Sequence, residues 1–157
     1  MLNHERRQIL KGASAAAVVA VAAGAGLLKP SVVFAAEWNK AAFDAKDVAG
    51  ALAGLGASGA AESDQIVVEA PNIAENGGRV PVTITSKIPG TESIAMLAEA
   101  NATPLIADFD LSNGAEGYIS TTIKLGKTGK VRAVVKAGGK VYTAAKEVKV
   151  TIGGCGG

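Results

Sequence analysis

The sequence predicts a mainly β protein: an immunoglobulin-like antiparallel β-sandwich of about seven strands, with an N-terminal helix before it and a flexible C-terminal arm after it. Three observations predict this. From Asp64 to Ile152 short β-branched runs recur at regular intervals, the pattern of a sandwich. Turn-forming clusters, Asn72–Gly78, Ile88–Thr91 and Gly138-Gly139, separate those runs. The last five residues, Gly153-Gly154-Cys155-Gly156-Gly157, carry four glycines around the single cysteine, and glycine's freedom at φ and ψ makes such a stretch a tether.

In chain order, residues 1–35 read as an export signal, with a basic start, an apolar run and a small-residue cleavage pattern at Val33-Phe34-Ala35. Glu5-Arg6-Arg7-Gln8-Ile9-Leu10-Lys11 resembles the twin-arginine motif, departing from it at Glu5 and Ile9. The run Gly12–Leu28 is rich in Ala, Val and Gly, so a stable membrane anchor is not expected. The expected location is the periplasm. Twin-arginine export moves folded proteins, and in a chain without evident cofactor ligands that points to a partner bound before export.

The leader also distorts the charge. The whole chain is formally +2, but residues 36–157 hold twelve basic and thirteen acidic side chains. Nucleic-acid binding loses its electrostatic motive. The only histidine, His4, lies in the leader. A mature chain with one Cys and no His offers no usual metal site and no Ser-His-Asp or Cys-His pair. No metal, cofactor or catalytic residue is expected, although a carboxylate acid/base pair stays formally open.

Residues 36–63 are expected to form the helix and a linker. Trp38, Ala41, Ala45, Val48, Leu52 and Leu55 recur at steps of three and four, one face of a helix laid over the sandwich edge or end with Trp38 as anchor. Asp44 and Asp47 are placed to cap a second helical piece. Gly56–Ser63 is the linker. Residues 64–152 are the sandwich, with strands expected at Gln65–Ala70, Val80–Ser86, Ser93–Glu99, Leu105–Leu111, Tyr118–Leu125, Val131–Ala137 and Lys140–Ile152. Ser93–Glu99 has helix-forming Ala, Leu and Met, but its alternation and shortness favour a strand. Residues 153–157 are the arm.

Charge is unevenly divided. Residues 36–119 hold four basic and twelve acidic groups, whereas residues 120–157 hold eight basic and one acidic. The bland reading is solvated strand faces whose lysines discourage edge aggregation. The sharper one is a positive surface near the tether that attracts an anionic adduct.

The tail Val148–Gly157, with Ala70-Pro71-Asn72-Ile73-Ala74-Glu75-Asn76-Gly77, Val80-Pro81-Val82 and Pro104-Leu105, resembles the SoxY family, sulfur carriers of the bacterial thiosulfate-oxidising (Sox) system. The resemblance covers the chain from about Asp64. It implies a non-enzymatic carrier in which Cys155 is the covalent sulfur site and Gly153, Gly154, Gly156 and Gly157 let the arm swing. It also implies a heterodimer with a SoxZ-like subunit, and visits to a haem-containing sulfur-conjugating enzyme, a di-manganese sulfate-releasing hydrolase and a sulfane dehydrogenase. The alternative is an exported immunoglobulin-like structural or adhesion module dimerising through a Cys155 disulfide. A ubiquitin-like carrier loaded on its terminal carboxylate is disfavoured by the leader, because that activation needs cytosolic ATP.

Overall fold

The computed structural model describes residues 38–152. They form α1 (Lys40–Asp44), α2 (Val48–Gly54), β1 (Ala61–Glu62), β2 (Ile66–Glu69), β3 (Ile73–Asn76), β4 (Val80–Ser86), β5 (Thr91–Ala98), β6 (Leu105–Asp110), β7 (Tyr118–Ile123), β8 (Gly129–Ala137) and β9 (Lys140–Ile152). Each segment expected as a strand contains one, and β1 and β3 add two short ones.

Two sheets make the sandwich. One runs β1-β9-β8-β5-β6, with β3 also paired to β9; the other runs β2-β4-β7. The pairings are antiparallel except those of β1 and β3, which lie parallel to β9. Alternation along the strands supplies the core between the sheets. Val80, Val82 and Ile84 of β4 face Ile94 and Met96 of β5, Val131, Ala133 and Val135 of β8, and Val148 of β9. Full burial of each such side chain stabilises by roughly 1.5–3 kcal/mol. Gly138 and Gly139 both take positive φ, 55° and 71°, as the two-residue turn between β8 and β9 requires.

The N-terminal layer departs from expectation. The helix is broken in two: α1 is capped by Asn39, whose side chain accepts from Ala42 N, and α2 by Asp47, whose side chain accepts from Gly50 N. Because the backbone is extended at Ala45 and Asp47, no single helical face runs from Trp38 to Leu55. Ala42, Ala51, Leu55 and Ala57 are the buried residues, packed on Ala95, Leu97, Leu105 and Val134. The helices therefore cover the outer face of the larger sheet and not its edge or end. Trp38 is no anchor: it is 66% exposed and stacks on Phe43 with ring centroids 4.1 Å apart. The two helices also approach each other closely: a Cβ on Gly54 would stand 2.7 Å from the Ala42 backbone.

This layer explains β5. From Ser93 to Ala98 every residue is buried, since Ile94, Met96 and Ala98 face the inner core while Ala95 and Leu97 lie under the helices. Two segments expected to be irregular also pair. Ala61–Glu62, inside the expected linker, aligns with Tyr142–Thr143. Ile73–Asn76, inside the expected long turn, aligns with the C-terminal end of β9.

Candidate functional site

Gly153, Gly154, Cys155, Gly156 and Gly157 lie outside the described residues, so the site takes shape in the platform they continue from. That platform is the last quarter of β9. Val148 is fully buried and Val150 packs on the core, but Ile152 is 68% exposed. Burial thus fades along the strand, and hydrogen bonds take over its placement.

Most of those bonds come from Asn72–Gly77, a stretch that reads as a turn in the sequence. Asn72 O accepts from Lys149 N at 3.0 Å, and Gly77 N donates to Ile152 O at 2.9 Å. Between them, Thr151 Oγ1 donates to Glu75 O at 3.1 Å. Asn76 shapes the exit of the segment, its Oδ1 accepting from Gly78 N at 2.7 Å; such side-chain turns are what asparagine does well. From the β7–β8 loop, Thr128 Oγ1 accepts from Val150 N at 2.9 Å and donates to Val150 O at 3.4 Å. The same loop is tied in by Leu125 N, which donates to Gly77 O at 2.7 Å. Strand geometry is thereby held up to Ile152, three residues before Cys155.

The eight basic residues of the C-terminal part do not form one surface. Lys140 sits at the β8–β9 turn, and at about 3.3 Å per strand residue that is roughly 40 Å from Ile152. Arg132 is half-buried, with Nε 2.6 Å from Glu99 Oε1 and Nη1 3.2 Å from Thr143 Oγ1. Lys124 and Lys127, both exposed, flank Leu125 and Thr128, so the arm end keeps them. There they line a surface cleft with Ala100, Asn101, Ala102, Thr103 and Gly126.

Elsewhere, Asp108 on β6 has Oδ1 buried without a hydrogen-bond partner. Burial pushes its carboxyl above the ordinary aspartate value; Lys136 opposes that shift and Asp110 reinforces it. Among the described residues no cluster of three or more His, Cys, Asp or Glu is placed to hold a metal. Nor is any helix there long and apolar enough to cross a membrane.

Sequence reasoning misses the frame that holds the end of β9. Thr128 and Gly77 act through backbone partners more than twenty residues away in sequence, and only the composition of Asn72–Gly78 hints at the second.

Comparison with known proteins points to a family. The family model for "Sulfur oxidation protein SoxY" matches residues 52–155, an interval that includes Cys155. The structure of the sulfur carrier protein SoxY from Chlorobium limicola f thiosulfatophilum is 40% identical, with a TM-score of 0.62, over 72% of this chain and 99% of that one. A superoxide reductase (neelaredoxin) from Ignicoccus hospitalis is a weaker likeness at 20% identity and a TM-score of 0.48, over 55% of this chain and 80% of that one. No curated protein matches. The extent of the family match and the 40% identity place this chain in the SoxY family of sulfur oxidation proteins.

Proposed function

We propose that the protein is a periplasmic covalent sulfur carrier of thiosulfate oxidation, holding its intermediates on Cys155 and presenting them to successive enzymes. One observation carries the reading: β9 is hydrogen-bonded by β3 and Thr128 up to Ile152, and a glycine-flanked thiol follows three residues later. A rigid strand that gives way to glycines projects a thiol by up to roughly 10 Å on a thread no wider than a backbone. The similar Chlorobium protein is a sulfur carrier, which supports the same role here.

The chemistry follows from the thiol. The Cys155 thiolate joins the sulfane sulfur of thiosulfate, releasing two electrons to a haem-containing partner and leaving Cys–S–S–SO₃⁻. Water then cleaves the outer S–S bond at a di-manganese hydrolase, releasing sulfate and two protons and leaving a persulfide anion. A sulfane dehydrogenase acts on the retained sulfur. Persulfides react readily with other thiols, so keeping them bound while enzymes visit protects them. The protein contributes no catalytic group of its own. Its twin-arginine-type leader and the absence of evident cofactor ligands support export already paired with a SoxZ-like subunit.

Intact-mass spectrometry of the mature protein, after growth on a reduced sulfur compound, tests this with and without reductant. Reductant-labile sulfur or thiosulfate additions mapped to Cys155 are expected. A single unmodified mass, or only a Cys155-linked dimer, overturns the carrier reading.

A further inference from the structure

The β6–β7 loop reverses at Ser112-Asn113-Gly114-Ala115. Ala115 N donates to Ser112 O at 3.1 Å, and both central residues have positive φ, 55° at Asn113 and 76° at Gly114. These are the features of a type I′ turn, which needs left-handed backbone at two successive positions and so selects Asn-Gly. Asn113 is the one residue other than glycine with positive φ among the described residues. Such a turn leaves the amide of its third residue unused. Among the described residues neither Gly114 N nor the Asn113 side chain has a hydrogen-bond partner, and both residues are exposed.

Asn-Gly carries a chemistry of its own. No side chain crowds a glycine nitrogen, so once deprotonated it attacks Cγ of the preceding asparagine. The new Cγ–N bond closes a five-membered succinimide, and the side-chain nitrogen leaves as ammonia. Water then opens the ring at either carbonyl, giving aspartate or isoaspartate. Nothing is oxidised or reduced, and water is the only co-reactant.

A second Asn-Gly stands at Asn76-Gly77, and the structure sets the two apart. Gly77 N, the would-be nucleophile, is buried and donates to Ile152 O at 2.9 Å. Asn76 Oδ1 accepts from Gly78 N at 2.7 Å, and Asn76 is itself paired with Ile152. Both reacting groups are therefore occupied. Asn39 and Asn101 use both ends of their amides in hydrogen bonds. Asn72 precedes Ile73, whose branched side chain crowds the nitrogen.

We propose that Asn113 is a site of spontaneous modification, deamidating with Gly114 N as the nucleophile, while Asn76 is protected by its pairing with the end of β9. The product sets a new negative charge in a loop flanked by Asp110 and Glu116, where Asn113 lines a surface cleft with Glu92. The aspartate form keeps the turn, because Asp tolerates the left-handed region much as Asn does. The isoaspartate form adds a carbon to the backbone and breaks the geometry that joins Ala115 N to Ser112 O. The proposal is independent of the carrier reading. Glu92 Oε1 accepts from Gly138 N at 3.2 Å, so this loop belongs to the end of the sandwich where β9 begins, and Cys155 follows from the other end of that strand.

The mature protein, purified with any subunit that accompanies it, is incubated in mildly alkaline buffer and sampled over time by peptide mass spectrometry. Fragmentation that distinguishes aspartate from isoaspartate follows both Asn-Gly sites. Asn113 is expected to convert at least about tenfold faster than Asn76, whose two hydrogen bonds must open before its ring can close. Both aspartate and isoaspartate appear at position 113, and the rate rises with pH because the nucleophile is the deprotonated amide. In denaturant the two sites convert at comparable rates, which shows that the fold and not the dipeptide makes the difference. Asn113→Gly keeps a sequence suited to the turn and abolishes the acidic form on ion exchange. Equal rates at the two sites in the folded protein overturn the proposal, as does an intact Asn113 amide where both sites react in denaturant.

Discussion

Thr128 Oγ1 lies 2.9 Å from Val150 N and 3.4 Å from Val150 O, so one hydroxyl engages both backbone polar groups of a residue near the end of β9. Thr128→Val keeps the shape and removes the partner. A neutral hydrogen bond contributes about 0.5–1.5 kcal/mol net, and water reaches this exposed site, so the expected loss lies at the low end. The sharper effect is local: amide exchange accelerates at Val150 and Ile152 while Val134 and Val135 in the buried part of β8 stay protected. Thr128→Ser restores protection. Uniform acceleration across the sandwich would mean that Thr128 supports the whole fold and not the base of the arm.

Gly54 is the contact between the two short helices. A Cβ there would meet Ala42 Cα and N at 2.7 Å, whereas one on Gly59 meets nothing within 4 Å. Gly54→Ala is therefore expected to cost about 1–3 kcal/mol, as overpacking does. Gly59→Ala is expected to be neutral or slightly stabilising. Denaturant midpoints of the two variants check this, and equal midpoints would show that the helical layer shifts freely on the sheet.

What is legible in the sequence follows the range of the interactions. Val80–Ser86 and Lys140–Ile152 announce themselves through β-branched alternation and local turns, and both form strands. Ser93–Glu99 is ambiguous as sequence because Ala95 and Leu97 break the polar alternation. The structure gives the reason, a second buried face beneath the helices. Ile73–Asn76 reads as a turn because its asparagines and glycines are local signals, and its pairing with Lys149–Ile152 joins segments about seventy-five positions apart. Trp38 reads as an anchor from its size, but Ala42, Ala51, Leu55 and Ala57 make the contact with the sheet and the indole stays outside. For the site, the thiol and its glycines are visible as sequence. Thr128 and Asn101 are not, since nothing local says which loop lies beside Val150.

Asp108 gives a pH dependence with a definite sign. Burial raises its carboxyl above the ordinary 3.8, so between that value and the raised native value the folded state holds more proton than the unfolded chain. Stability then falls as pH rises through this window, and the penalty is fully present above it. Asp108→Asn removes the titration and is expected to raise stability at neutral pH while flattening this segment of the stability–pH curve. Thermal midpoints from about pH 3 to about pH 7 measure it. A variant whose curve parallels the parent's would show that water or Lys136 satisfies the carboxylate in solution.

Asn101 ties the β5–β6 loop to the β7–β8 loop. Its amide holds Lys124 O at 2.8 Å and Gly126 N at 2.9 Å, so a single side chain fixes one loop against the other. Asn101→Ala removes both bonds and frees the β7–β8 loop, at a stability loss of about 1 kcal/mol for two partly solvated bonds. Exchange at the Gly126 amide, measured by hydrogen–deuterium exchange, should quicken while that of Val134 in the buried part of β8 is unchanged. Asn101→Asp separates the two bonds. It keeps an acceptor for Gly126 N and loses the donor to Lys124 O, so its exchange rate at Gly126 should lie between those of the parent and the alanine variant. If Gly126 exchanges at the parent's rate in both variants, the two loops are held together by their own backbones and not by the Asn101 amide.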